Sequence, residues 1–175
     1  MRKFVLWLAA ILTAATTLSP FLAGAQGTVR VTGGGTGTFG ADLDGDGDID
    51  GSQFGIGVTI RADGSAQGHF LCLMAGRSDI LGLSLMAVQG PVNAGNDNGN
   101  GSVTFSGVGS VNLGNGTIFN GIPFTVTVKA GGAGVGTLQL TVIGAFDGVP
   151  GDTNPGNGDY DLPVETVASG RIKIH

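Results

Sequence analysis

The sequence predicts an all-β fold, an antiparallel β-sandwich with a β-barrel as the alternative, built from about eight to nine strands. Three observations lead there. Apolar and polar residues alternate with a period of two in several runs, which puts the apolar set on one face of a strand. Glycine is abundant, 35 of 175 residues, and it punctuates those runs. From residue 26 onward no segment sustains the 3.6-residue stripe of an amphipathic helix. A hydrophobic content of 41% supplies the side chains for a packed core, which sets this composition apart from a disordered glycine-rich tract.

The first 25 residues read as a bacterial-type secretory signal. Arg2 and Lys3 form a basic start, residues 4–18 are mostly apolar, and Ala23-Gly24-Ala25 is a small-residue cleavage site. The apolar run is shorter than the roughly 20 residues that a membrane-spanning helix needs. Cleavage leaves residues 26–175 as one domain. An opening strand is expected over 28–39, interrupted at Gly33-Gly34-Gly35. Phe54, Ile56, Val58 and Ile60 define one face of the next. Ala62-Asp63-Gly64-Ser65 is a tight turn, because Asp-Gly readily supplies positive φ. Residues 67–75 return as the second arm, apolar on both faces. Further strands are expected over 83–89, 102–113, 119–129, 137–143 and 167–175. Gly131-Gly132 reads as a turn, residues 93–101 as a flexible polar loop, and residues 147–163 as a longer irregular excursion.

Removing Arg2 and Lys3 leaves six basic residues against thirteen acidic, a net charge of −7. That balance argues against nucleic acid and against an anionic membrane surface as partners. The expected location is secreted, extracellular or periplasmic, and the expected partner is a protein or polysaccharide met there. Cys72 is the sole cysteine, so no internal disulfide forms; its apolar neighbours mark it as a small core residue.

The most specific chemistry is Asp42-Leu43-Asp44-Gly45-Asp46-Gly47-Asp48-Ile49-Asp50-Gly51-Ser52-Gln53. Calcium is a hard cation that takes six to eight oxygen ligands, and a twelve-residue loop supplies them from positions 1, 3, 5, 7, 9 and 12. Asp42, Asp44 and Asp46 fall at the first three positions. Gly47 falls where the sharp turn is needed. Asp48 would offer its backbone carbonyl, and Asp50 would bind directly or through water. The alternative is a solvated acidic turn, against which stands the repulsion among five neighbouring carboxylates.

This run resembles the calcium loops of EF-hands, and still more those of dockerins and thrombospondin type 3 repeats. Gln53 at position 12 departs from the Glu or Asp of those loops and offers one carbonyl oxygen, so the resemblance implies a weak site. The helices that flank an EF-hand loop are also missing from the pattern.

Asp147, Asp152, Asp159 and Asp161 form a second acidic group whose spacing matches no ligand template, and a polar loop is the preferred reading. No catalytic pattern emerges. His69 and His175 are the only histidines, and no zinc spacing or nucleophile elbow accompanies them. Tyr160 is the one aromatic that the sequence offers as an exposed contact for a sugar.

Several segments together resemble a loosely defined group of bacterial secreted β-domains without assigned function: VTGGG at 31–35, ADGS-x-x-GHF at 62–70, FTVTV at 124–128, GVPGDT at 148–153 and ASGRIKIH at 168–175. These are strand and turn signatures, so the resemblance implies fold and export. The aspartate loop looks like an insertion between the first two strands. The expectation is an exported, non-enzymatic β-domain with a structural calcium loop and a structural or adhesive role. The alternative is an accessory domain that binds extracellular polysaccharide.

Overall fold

The computed structural model describes residues 27–42, 47, 49–75 and 85–175. The expected signal peptide lies outside them. Ten strands occur among the described residues: β1 (Val29–Thr38), β2 (Gly51–Ile60), β3 (Ser65–Ala75), β4 (Leu85–Asp97), β5 (Ser102–Asn112), β6 (Ile118–Lys129), β7 (Gly131–Gly132), β8 (Thr137–Val142), β9 (Tyr160–Asp161) and β10 (Glu165–Ile174).

The all-β, antiparallel class is as expected. The strands form a single sheet in the order β7-β10-β1-β2-β3-β4-β5-β6-β8-β9, and β10 also pairs with β8. The sheet therefore curls into a partial ring, and its connectivity is that of the barrel alternative. Opposed walls still pack face to face across a filled interior, as sandwich layers do. The closing seam is short: Glu165 lies opposite Leu138, and Thr166 opposite Thr137. On either side of it β9 extends β8 and β7 extends β10, so Gly131-Gly132 is a short strand where the sequence suggested only a turn.

The period-2 pattern explains the core. Phe54, Ile56, Val58 and Ile60 on β2 face inward, as do Phe70, Cys72 and Met74 on β3 and Phe124, Val126 and Val128 on β6. Phe70 sits centrally, edge-on to Phe105 at 5.8 Å between ring centroids and tilted against Phe124 at 5.6 Å. Gly107 makes room for this cluster, since a methyl there would strike the Phe124 ring and the Pro91 carbonyl.

Two expectations about loops change. β1 runs unbroken through Gly33-Gly34-Gly35, pairing with β2 on one side and β10 on the other. β4 continues to Asp97 through much of the segment expected to be a flexible loop. Its outer half stays paired with β5, from Ala94 opposite Ser106 to Asp97 opposite Val103.

Candidate functional site

The aspartate run caps the β1–β2 hairpin. Backbone bonds from Phe39 N to Asp50 O (2.9 Å) and from Asp50 N to Ala41 O (3.2 Å) carry the ladder past the strand ends. The chain leaves this ladder at Asp42. Gly47 adopts φ +99°, a left-handed conformation that favours glycine. Its N–H donates to Asp42 Oδ2 at 2.9 Å, which draws the position-1 carboxylate back across the loop. Asp44, Asp46 and Asp48 lie outside the described residues.

The remaining two expected ligands diverge. Asp50 is 0% exposed and faces the barrel interior, whereas Gln53 is exposed on the outer face of β2, opposite Thr36 and Leu73. Strand parity causes the split, because residues an odd number apart point to opposite faces. Among the described residues no group of three or more His, Cys, Asp or Glu side chains converges as a metal site.

Behind the loop lies a polar cluster that the sequence reading missed. Glu165 is 1% exposed, and Ser52 Oγ donates to its Oε2 at 2.6 Å. Cys72 Sγ lies 4.0 Å from Glu165 Oε1. Burial, and then the nearby Glu165 carboxyl, push the Cys72 thiol far above its ordinary value, so it stays protonated and unreactive. Gly37 on β1 provides the space, since a methyl there would land on the Glu165 carboxyl. The cluster could have been found by extending the alternation: Ser52 shares the face of Phe54 and Ile56, and Glu165 that of Val167.

Tyr160 corrects an expectation. It is fully buried, and its hydroxyl donates to Pro150 O at 3.0 Å. Burial first, then Asp152 and Asp50, raise its hydroxyl far above the ordinary range. It anchors the excursion between β8 and β10 and offers no surface to a sugar.

The second acidic group holds that excursion together. Asp147 accepts from Gly156 N (2.6 Å) and Gly158 N (3.2 Å). Asp152 accepts from Gly148 N (2.8 Å) and Asn154 N (3.0 Å). Asp159 accepts from Gly144 N at 2.8 Å, and Asp161 from Thr141 Oγ1 at 2.7 Å and Asn157 Nδ2 at 2.9 Å. Asp147, Asp152 and Asp159 thus satisfy backbone donors that a long loop would otherwise leave to water, and Asp161 ties side chains to it.

His69 is exposed on β3, between Gly57 and Pro91. His175 follows β10 and pairs with Arg30 of β1 through both backbone bonds, so it continues that strand pair at the barrel wall. No known protein family matches the chain, and neither a curated protein nor a solved structure matches it.

Proposed function

We propose that this is an exported, non-enzymatic β-domain whose Asp42–Gln53 hairpin loop takes a calcium ion, and that it serves a structural or adhesive role. The observation that carries the ion is the Asp42–Gly47 contact. It turns the first carboxylate of the run inward, at a glycine whose positive φ makes the bend that a calcium loop needs. Asp42, Asp44 and Asp46, with the Asp48 carbonyl, form the inner ligand set of this reading. Asp50 and Gln53 contribute less, given the faces they occupy. The ion would neutralise repelling carboxylates and fix one end of the barrel.

Calorimetric titration of the mature domain with calcium and magnesium tests the proposal. Saturable heat is expected at about 0.1–1 mM calcium, the range of extracellular modules. The absence of heat at millimolar calcium removes the ion from the reading.

A second reading, binding to extracellular polysaccharide, is favoured by the distribution of charge. The chain is acidic overall, yet among the described residues Arg30, Arg171 and Lys173 lie exposed on one outer wall of the barrel.

A further inference from the structure

We infer that the outer wall formed by β10, β1, β2 and β3 is a docking surface for an acidic polysaccharide, with Arg30, Arg171 and Lys173 supplying the charge that a uronate-bearing chain requires. The inference rests on the polysaccharide reading and names the class of polysaccharide.

The register places these groups together. Lys173 lies opposite Thr32, Arg171 opposite Gly34, and Arg30 opposite Thr59 on one side and His175 on the other. All three cations are exposed. At the edge of the wall, Arg61 is held to Gln67 Oε1 at 2.7 Å. Lys129, the other described lysine, lies away from this wall at the end of β6. In these four strands the sole Asp or Glu is Glu165, which points into the core. The four strands of this wall thus carry no outward carboxylate side chain, and the one at its edge, Asp63, sits in the β2–β3 turn beside Arg61. Such segregation creates a local positive field on an otherwise negative molecule.

The shape of the wall suits a sugar chain. Gly34, Gly55 and Gly57 follow the outer face of β1 and β2, and a Cβ added at Gly55 or Gly57 would meet nothing within 4 Å. A shallow groove of about 390 Å³ opens over Gly55 at one end of the wall, flanked by Leu71 and Leu73 and bounded by Thr36 and Gln53. Thr36 Oγ1 and Ser169 Oγ lie 2.8 Å apart there, offering hydroxyls to a polyol. From the Gln53 row to the Arg30 row the wall spans six residues, about 20 Å at the rise of a strand. Its outward residues include no Phe, Tyr or Trp; the exposed rings it carries are the imidazoles of His69 on β3 and of His175, just past β10. Without a large aromatic platform, the wall's means of recognition are charge and hydroxyl contacts.

The test is affinity electrophoresis of the full mature protein in chelator, so that calcium cannot bridge protein and glycan. The probes are polygalacturonate, neutral dextran and a single-stranded DNA oligomer. Polygalacturonate is expected to retard the protein at low salt and to lose that effect at about 0.5 M salt. The triple variant R30Q/R171Q/K173Q, with an unchanged melting temperature, should bind about tenfold more weakly, as three exposed charge contacts warrant. Lys129→Gln should bind as the parent does. No retardation by polygalacturonate overturns the proposal, as does equal retardation of the triple variant. Retardation by dextran at the level of polygalacturonate keeps the polysaccharide reading but removes the acidic class. Stronger retardation by DNA assigns the wall to nucleic acid instead.

Discussion

Gly37 and Gly34 lie on the same strand, three residues apart, and alanine should affect them in opposite directions. Gly37 faces the interior. A methyl there would strike the carboxyl end of Glu165 and come within 3.1 Å of its Cβ and 3.3 Å of its Cδ. The Glu165 carboxyl is buried and holds the 2.6 Å bond from Ser52. Displacing it therefore sacrifices a buried hydrogen bond and strains neighbouring packing, for a cost of about 1–3 kcal/mol. Gly34 faces outward, where the nearest atom to an added methyl is the Phe54 carbonyl oxygen at 3.6 Å, an ordinary contact. Alanine at that position mainly restricts the unfolded chain, which stabilises by about 0.4–1 kcal/mol. For a domain of this size, 1 kcal/mol moves the melting temperature by about 2–4 °C. Scanning calorimetry should thus show Gly37→Ala melting several degrees below the parent and Gly34→Ala at or slightly above it. Equal destabilisation by the two substitutions would refute the inward placement of Glu165 against β1.

Other measurements bear on the loops and the core. At about 10 mM calcium, a site in the expected affinity range should stabilise by about 1.4–2.7 kcal/mol and raise the melting temperature by about 3–10 °C. Asp42→Ala should abolish that rise, and a variant that keeps it contradicts the ligand assignment. Tyr160→Phe should cost about 1 kcal/mol in denaturant unfolding, the worth of one hydrogen bond, whereas Tyr160→Ala should cost about 3–5 kcal/mol through its cavity. Cys72 should resist iodoacetamide in the native state and react only on unfolding; labelling at the rate of a free thiol would place it at the surface. The backbone N–H groups of Asn154 and then Gly148 hold the Asp152 carboxyl below its ordinary value of 3.8. Its contribution to stability is therefore present above pH 3.8 and is lost as pH falls through the lowered value. A carboxyl-carbon NMR titration should show this, and Asp152→Asn should remove that acid dependence.

Much of the strand plan was legible because alternation is a local signal. The inward faces of β2, β6 and β8 could be read from Phe54–Ile60, Phe124–Val128 and Leu138–Val142 alone. The glycines of β1 misled because their low strand propensity is a weak local preference, overridden here by pairing along both edges. The polar Asn93–Asp97 segment joined β4 for the same reason: β5 was available to pair with it. Tyr160 looked exposed because Asp159 and Asp161 flank it, yet those neighbours occupy the other face or bond to the loop. The aspartate run was legible as a ligand pattern. What sequence spacing cannot convey is strand parity in three dimensions, which sends Asp50 and Gln53 to opposite faces. Ring closure through β10 is likewise a long-range fact with no local trace.

Pairing β1 with β10 joins Val31 to Ile174 and so makes the two most distant strands of the ring mutual neighbours. Until Glu165–Ile174 has arrived, β1 has an open flank and the interior stays wet, so no earlier fragment can complete the fold. Closing so long a chain segment is entropically slow. That delay has a use under the export proposed above: a polypeptide that cannot compact until nearly all of it is present would stay threadable through a narrow pore.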